Sequence, residues 1–264
     1  MLTLYFSGTG NTEYVARLFS RKMGAECYSI EDNVDFNKKM NENKEVAFCY
    51  PIYGSRVPLI MREFAVRHAE ALRNKKIVII VTQAFFSGDG ARVFTDMFPK
   101  GYFEVIYAEH IGMPNNICNV RFMRKANSKR TAKYVKKADK SLERIVMDIK
   151  LGVVRKRGFS WFSKFFGGFQ GKAWQGGSGK AYAVEKTMEY KAKNGVRIDA
   201  DCDACGLCVS ACPTKNLGVV DGKVKHNNNC TICYRCVNLC QKQAITTFMH
   251  GKPKWQYRGV GLDG

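Results

Sequence analysis

Eight of the eleven cysteines in this 264-residue chain lie in two short runs with the same spacing, C-x2-C-x2-C-x3-C. The runs occupy residues 202–212 and 230–240. A segment this small buries too little apolar surface for a stable core of its own, so the cysteines are expected to cross-link it. The cysteine total is odd, and the chain opens without the basic segment or cleavage site of a secretory signal. Both points argue against a disulfide framework and favour metal ligation.

The spacing within the two runs is typical of [4Fe–4S] ligation. Three closely spaced thiolates wrap one face of an iron–sulfur cube, while the fourth cysteine continues along a helix and reaches a second cube. Each cube therefore takes three ligands from one run and one from the other. The two expected ligand sets are Cys202, Cys205, Cys208 with Cys240, and Cys230, Cys233, Cys236 with Cys212. Zinc is the alternative for paired C-x2-C, but a tetrahedral zinc site gives no reason for the third and fourth spacings.

The segment from about 197 to 248 resembles bacterial two-cluster ferredoxins, with all eight cysteines matched. The sequence departs at Gln241, where a proline usually follows the last cysteine, and this departure removes no ligand. Between the runs, 218–225 (GVVDGKVK) predicts a β-hairpin with Asp-Gly at its turn. Three cysteines belong to no motif and are expected to be buried thiols: Cys27, Cys49 and Cys118.

The first 150 residues alternate short apolar runs with amphipathic segments. Five strands are predicted, at 2–7, 27–30, 45–51, 76–82 and 103–108. Helices are predicted between them, including 58–68 with Pro58 in its first turn. A long amphipathic helix is predicted over 126–150, with one apolar face formed by Ala132, Val135, Ala138, Leu142, Ile145 and Ile149. This order predicts the doubly wound α/β class, a parallel sheet covered on both faces that binds ligands at the carboxyl ends of its strands.

The loop 7–12 (SGTGNT) joins the first strand to the first helix. Its small residues, three hydroxyl groups and free backbone N–H groups form a cradle for an anion. It has no Lys or Arg, lacks the ending of a Walker loop and has Glu13 where a dinucleotide fingerprint needs a third glycine. It therefore suits a phosphate monoester, with an ordinary helix cap as the alternative. The binding residues expected here are Ser7, Thr9, Gly10, Asn11 and Thr12.

Two further loops place aromatic residues beside glycine at the carboxyl ends of strands. A flat heteroaromatic ring needs an apolar face to stack on and backbone that can approach its polar edge. The alternative is that these aromatic side chains anchor the loops in the core. The residues expected to bind a ring are Pro51, Tyr53 and Gly54 in one loop, and Ala84, Phe85, Gly88 and Asp89 in the other.

These residues carry a resemblance to the flavodoxin family. Ser7, Thr9, Gly10 and Thr12 match that family's Ser/Thr-x-Thr-Gly-x-Thr pattern in full. The resemblance covers about 1–150 and implies a five-stranded sheet of order 2-1-3-4-5 that binds FMN with its phosphate on this loop. It also implies that the loops holding Tyr53 and Phe85 flank the isoalloxazine ring.

A basic, aromatic-rich connector over 151–196 joins the 1–150 domain to the cysteine-rich domain at 197–264. Residues 121–197 hold 21 basic and 5 acidic residues, whereas 1–120 hold 14 and 13. The connector's aromatic residues predict a clamp that buries them against both domains, with a membrane-surface helix or stacking on single-stranded nucleic acid as alternatives. These residues are Phe159, Trp161, Phe162, Phe165, Phe166, Phe169 and Trp174.

The whole arrangement resembles flavodoxin–ferredoxin fusion proteins. It implies an electron-transfer protein with FMN and two [4Fe–4S] clusters, expected in the cytoplasm. One alternative is an FMN-dependent reductase of a small substrate fed by its own clusters, although no catalytic acid or base is identified. The other is a basic module that binds a membrane or nucleic acid. The concentrated positive charge favours an acidic redox protein as partner over a membrane surface, and nucleic acid is the least favoured.

Overall fold

A computed structural model of the chain describes residues 1–84, 88–120, 125–175, 187–247 and 251–260. Six parallel strands form the main sheet in the order β2-β1-β3-β4-β5-β6. The strands are β1 Leu2–Tyr5, β2 Glu26–Ser29, β3 Glu45–Pro51, β4 Lys76–Gln83, β5 Glu104–Gly112 and β6 Arg155–Lys156. The helices around them are α1 Asn11–Met23, α2 Phe36–Asn41, α3 Leu59–Arg67, α4 Ala69–Leu72, a 3₁₀ helix at Arg92–Met97, and α5 Ser128–Lys150.

The strands β1, β3, β4 and β5 are mostly buried, because both faces of the sheet are covered, and this explains their continuous apolar runs. In β4, Ile77, Ile79 and Val81 point into a core shared with α2 and α3, while Val78 and Ile80 point into a core shared with α1 and α5. Side chains alternate between the faces along a strand, so one run of five apolar residues supplies both cores. The expected doubly wound α/β class is confirmed.

The sheet has one more strand than the five expected. β6 belongs to the connector and pairs with β5, with Arg155 opposite Tyr107 and Lys156 opposite Ala108. Its two side chains are charged and exposed, so no apolar pattern marks it in the sequence. Backbone pairing with β5 and an ion pair between Arg155 and Asp148 of α5 hold this strand, and the order 2-1-3-4-5 is extended rather than changed.

The long helix α5 begins after Asn127, whose side chain accepts a hydrogen bond from the N–H of Arg130. Its buried residues are Ala138, Leu142, Ile145 and Val146. Ala132, expected on the apolar face, is exposed. The buried residues of the helix begin at Ala138, and Val135, one turn earlier, is partly buried.

The cysteine-rich domain is built from short elements. They are α7 Met188–Asn194, β7 Arg197–Ile198, α8 Leu207–Ser210, β8 Leu217–Val220, β9 Lys223–His226, α9 Arg235–Leu239 and β10 Ile245–Thr246. β8 and β9 form the expected hairpin, with positive φ at Asp221 and Gly222, as its tight turn requires. A separate core of Trp174, Tyr234, Val237, Trp255 and Tyr257 joins this domain to the connector.

The connector forms a helix, α6 Trp161–Gln175, and it differs from the expected clamp. Trp174 is buried and Phe159 packs against the sheet domain. The other five expected aromatic residues are exposed: Trp161, Phe162, Phe165, Phe166 and Phe169. The glycines in α6 allow the sheet domain to approach its opposite face instead, as described below. In the described part of the chain, no helix is both long and apolar enough to cross a membrane.

The buried His110 gives a testable pH dependence. Burial, reinforced by the nearby Arg157, lowers its pKa to about 4, and its Nε2 accepts the N–H of Ala91. The unfolded chain takes up this proton as the pH falls through about 6.5, while the folded chain does not until about 4, so stability is lost over that interval. We expect the loss in unfolding free energy between pH 7 and 5 to be about 2 kcal/mol smaller in His110→Gln. Denaturant titrations of both proteins at both pH values measure the difference; an equal loss contradicts it.

Candidate functional site

The main cavity lies at the carboxyl ends of β1, β3 and β4, where a doubly wound sheet binds its ligand. Its volume is about 140 Å³, and it is partly open to solvent. Its walls come from the 7–12 loop, the loops after β3, β4 and β5, and the connector. The cysteine-rich domain contributes Ile232 and Tyr234.

The 7–12 loop is shaped to hold an anion. The N–H of Gly10 donates to Ser7 Oγ at 3.1 Å, and Gly10 has a φ of 91°, which turns the chain into α1. The Oγ1 of Thr9 is buried and has no hydrogen-bond partner among the described residues. A buried hydroxyl group without a partner is costly, so this one fits a ligand oxygen. Thr12 Oγ1 is 2.7 Å from Thr82 Oγ1, and both residues line the cavity.

Asn11 lines the cavity, but protein groups hold both ends of its amide. Its Nδ2 donates to the carbonyl oxygen of Pro114 at 2.8 Å, and its Oδ1 accepts the hydroxyl of Tyr257 at 2.6 Å. Asn11 thus ties the phosphate loop to the loop after β5 and to the C-terminal segment. The same segment packs against the loop at Gly259, where a Cβ would lie 2.4 Å from the carbonyl oxygen of Thr9.

The loop after β3 brings Pro51, Tyr53 and Gly54 to the cavity wall. The Oη of Tyr53 is buried without a hydrogen-bond partner among the described residues, and burial raises the pKa of this phenol well above its usual value. Trp174 covers Gly54 so closely that a Cβ there would be 2.5 Å from Trp174 Cγ. Trp174 is therefore a wall residue that sequence reasoning assigned only to the connector.

The loop after β4 divides between the cavity and a structural role. Ala84 lines the cavity, whereas Phe85 lies outside the described residues. Gly88 and Asp89, expected to bind a ring, do not line it. A Cβ on Gly88 would be 2.5 Å from the N of Gly167 in α6. The buried carboxylate of Asp89 accepts a hydrogen bond from Arg92 Nε at 3.0 Å. This bond fixes the loop to the 3₁₀ helix that begins at Arg92.

Sequence reasoning missed the loop after β5. Residues 113–117 (MPNNI) line the cavity and include Pro114, which Asn11 holds. The stretch has no glycine, no aromatic residue and no repeated spacing, so it carries little signal of its own. Its position directly after a strand of a parallel sheet is the only clue in the sequence.

The structure places motif cysteines from the two runs near one another. Burial raises the pKa of Cys208, and negative charge on Cys202, Cys240 and Cys205 raises it further, so these four thiols are neighbours. Burial likewise raises the pKa of Cys236 well above its usual value, with further contributions from Cys233, Cys230, Cys212 and Cys208. Cys208 and Cys236 therefore each have thiol neighbours from both runs, and Cys208 of one expected ligand set is also a neighbour of Cys236 of the other.

The sulfur atoms also have backbone donors. The N–H of Asn216 lies 3.2 Å from Cys212 Sγ, that of Ile232 lies 3.3 Å from Cys230 Sγ, and that of Ala244 lies 3.4 Å from Cys240 Sγ. Such N–H donors stabilise thiolates and tune the potential of a bound cluster. Both cysteine groups contain sulfur atoms supported in this way.

The spacing of the thiol groups can be compared with what a zinc ion and an iron–sulfur cluster each require. Among the described residues, no three Cys, His, Asp or Glu side chains converge tightly enough for a single metal ion. Zinc draws its thiolates to about 2.3 Å from one point, whereas a cubane cluster gives each thiolate a different iron. Of the cysteines outside the motifs, Cys49 and Cys118 are buried and Cys27 is partly exposed.

The cysteine group with Cys230, Cys233, Cys236 and Cys212 lies against the 7–12 loop. A Cβ on Gly8 would be 2.4 Å from the carbonyl oxygen of Cys233, so only glycine fits there. Arg235 of α9 donates to the carbonyl oxygens of Ser7, at 2.7 Å, and Gly8, at 3.1 Å. The same guanidinium group pairs with Glu31 after β2. The group with Cys230, Cys233, Cys236 and Cys212 is therefore adjacent to the main cavity.

The fold and the cavity define a doubly wound domain with a phosphate loop, joined to a cysteine-rich domain with paired iron–sulfur motifs. A family model described as a flavodoxin domain matches residues 2–166, and the chain belongs to this family. A second model, described as a 4Fe-4S binding domain, matches residues 196–217. The second cysteine run, 230–240, lies outside that match. These matches support an electron-transfer protein with a flavin site and an iron–sulfur site.

Solved structures similar to the chain include flavodoxins. One is a flavodoxin from the domain Archaea, with 13% identity over 55% of this chain and 96% of that chain and a TM-score of 0.36. Flavodoxin 2 from Bacillus cereus has 16% identity over 56% and 97%, with a TM-score of 0.39. The two-electron reduced flavodoxin of Megasphaera elsdenii has 19% identity over 53% and 99%, with a TM-score of 0.38. No curated protein matched the sequence.

Thr9 provides a test of the phosphate loop. We expect Thr9→Val to weaken FMN binding by about 10- to 100-fold, because a hydrogen bond to a charged group contributes about 1.5–3 kcal/mol. Its hydroxyl has no hydrogen-bond partner among the described residues, so the melting temperature without FMN should not fall. Quenching of FMN fluorescence on titration with the FMN-free protein measures the affinity. Thr9→Ser, which keeps the hydroxyl, serves as the control, and equal affinity of Val and Ser variants would contradict the assignment.

Proposed function

We propose that this protein carries electrons between an external redox partner, two [4Fe–4S] clusters and FMN. The single observation that carries the proposal is the contact of the second cysteine group with the phosphate loop, through Cys233 and Arg235. When bound, FMN supplies one- or two-electron chemistry and each cluster supplies one-electron chemistry. The residues of the chain hold these groups close together and shield them from solvent.

The two cysteine groups occupy different positions relative to the flavin cavity. Ile232 and Tyr234 flank Cys233 and form part of the cavity wall. In the other group, Cys205 is exposed to solvent. We therefore assign the group with Cys212 as the neighbour of the flavin, and the group with Cys240 as the entry or exit point for external electrons. A cytoplasmic location is part of this proposal, because reduced thiols persist there, and cell fractionation checks it.

Matched cysteine variants test both the number of clusters and their order. We expect anaerobically reconstituted protein to hold about eight irons per chain. Cys240→Ser and Cys212→Ser should each perturb one cluster, and Cys212→Ser should slow reduction of FMN by the remaining cluster more strongly. Iron analysis, electron paramagnetic resonance and stopped-flow absorbance measure these effects.

The control is Cys27→Ser, which changes a cysteine outside the motifs. It should keep the iron content and the rate of flavin reduction. About four irons in the unchanged protein, or zinc instead of iron after anaerobic purification, would contradict the proposal of two clusters. Equal rates of FMN reduction in Cys212→Ser and Cys240→Ser would contradict the proposed order of the two clusters.

We also propose that the external partner is an acidic redox protein. A second, basic cavity shares Ala84, Pro114 and Asn115 with the wall of the flavin cavity. Four exposed basic side chains line it: Lys125, Arg130, Lys133 and Lys137. Carboxylates of a partner that approach this cavity would lie beside the flavin site, where positive charge speeds encounter.

Charge reversal tests this partner. With a small acidic ferredoxin as probe, we expect the electron-exchange rate of Lys133→Glu/Lys137→Glu to fall at least about tenfold at low salt. Lys38→Glu/Lys100→Glu, which makes the same charge change at two exposed positions away from this cavity, should change it little. Stopped-flow measurements over a range of salt concentrations provide the rates. A rate that does not depend on salt in the unchanged protein would contradict an acidic partner.

A further inference from the structure

One face of α6 is made of aromatic rings that the protein leaves in solvent. Trp161, Phe162, Phe165, Phe166 and Phe169 follow the spacing i, i+1, i+4, i+5, i+8, which places them on one side of a helix. Trp161, Phe165 and Phe169 are 77%, 63% and 76% exposed. Exposed apolar patches on soluble domains commonly mark interaction surfaces, so we call these five residues the aromatic face.

The opposite face of α6 is anchored to the sheet domain. Gly167 packs on Gly88, Gly171 packs on the guanidinium group of Arg56, and Trp174 packs on Gly54. Ser55 also donates a hydrogen bond to Gln170. Glycines on this face permit a very close approach, and the contacts hold the helix in one orientation. The aromatic face is therefore held outward by the fold and does not result from a loosely attached helix.

The surroundings of the aromatic face are basic and contain further exposed apolar groups. Residues 149–184 include seven Lys or Arg and not one acidic residue. Lys164 and Lys172, both exposed, belong to α6 itself. Just before the helix, Leu151 and Val154 are 72% and 62% exposed.

The combination of exposed aromatic and basic side chains favours an anionic lipid bilayer as the partner of the aromatic face. Two copies of the same surface would bring like charges together without acidic residues in this segment to pair with them, which opposes self-association. Trp and Phe on a helix flanked by Lys and Arg are the signature of a helix that lies in the plane of a membrane interface. Anionic lipid headgroups at the cytoplasmic surface complement the basic side chains.

We propose that the aromatic face of α6 docks the protein on the surface of an anionic lipid bilayer. The rings enter the boundary between headgroups and acyl chains, and the lysines pair with lipid phosphates. Because α6 rests on the loop of Gly54 and Arg56, docking holds the flavin-cavity loops about one helix diameter, roughly 10 Å, from the bilayer. This inference concerns a surface separate from the cofactor sites and does not depend on the proposed electron route.

Vesicle binding of the full-length, reconstituted protein tests the proposal. The probes are vesicles of equal parts phosphatidylglycerol and phosphatidylcholine, and vesicles of phosphatidylcholine alone. We expect cosedimentation with the first, at least about tenfold stronger than with the second and weakened by salt. Among the tryptophans, Trp174 and Trp255 are buried and Trp161 is exposed, so a blue shift of tryptophan emission on binding reports Trp161. Trp161→Phe should abolish that shift and keep binding.

Paired variants separate the aromatic face from general effects. Phe165→Ser/Phe169→Ser should reduce the partition coefficient on anionic vesicles by at least about tenfold. Lys164→Gln/Lys172→Gln should reduce it by about fivefold for each lysine removed. Val66→Ser/Val219→Ser, which removes exposed apolar groups elsewhere, should bind as the unchanged protein does. Circular dichroism and flavin content confirm that each variant is folded.

Three results would overturn the proposal. The first is no binding of the unchanged protein to anionic vesicles, and the second is equal binding by folded Phe165→Ser/Phe169→Ser. The third is a stable dimer in light scattering, or a complex with an acidic ferredoxin, that Phe165→Ser/Phe169→Ser abolishes without any vesicle binding. That result would give the aromatic face a protein occupant in place of the bilayer. Loss of flavin or iron with vesicle binding intact would bear only on the electron-transfer proposal.

Discussion

The guanidinium group of Arg235 donates to five oxygen atoms that come from both domains. These are the carbonyl oxygens of Ser7 and Gly8 in the phosphate loop, the carbonyl oxygen of Ala211, and both carboxylate oxygens of Glu31. Arginine has five N–H donors in a rigid planar arrangement, so this environment uses all of them. Leaving such donors unpaired in a buried interface is costly, and the two domains are therefore held in one arrangement. The position of the second cysteine group beside the flavin cavity depends on this contact.

The cavity itself is a composite of parts that are far apart in the sequence. The sheet supplies strand ends and the phosphate loop, the connector supplies Trp174, and the cysteine-rich domain supplies Ile232 and Tyr234. The C-terminal segment then ties the parts together, because Gln256 donates to the carbonyl oxygen of Cys240 and Tyr257 donates to Asn11. A flavin bound here would be enclosed by all of these segments.

Local signals in the sequence predicted much of this. Repeated cysteine spacing, apolar runs in the central strands and a glycine-threonine loop are all patterns of neighbouring residues, and the fold class predicted from them is confirmed. Local sequence patterns failed to predict the position of a residue where packing between distant segments determines that position. Gly88 was expected to let the backbone approach a ring. In the structure, its lack of a side chain allows close contact with Gly167 of α6. The aromatic residues of α6 were expected to be buried, but the glycines on its other face fit the sheet domain more closely.

By itself, the sequence determined the class of the fold and the presence of an iron–sulfur motif, because periodicity and ligand spacing are properties of short stretches of chain. Only the tertiary structure decided that the cysteine group with Cys233 is the one beside the flavin cavity, that Trp174 and 113–117 complete its wall, and that five aromatic rings of α6 face solvent. Each of these depends on which surfaces pack against each other. That choice reflects complementary shape and charge between residues up to 246 positions apart, such as Asn11 and Tyr257, and no local pattern records it.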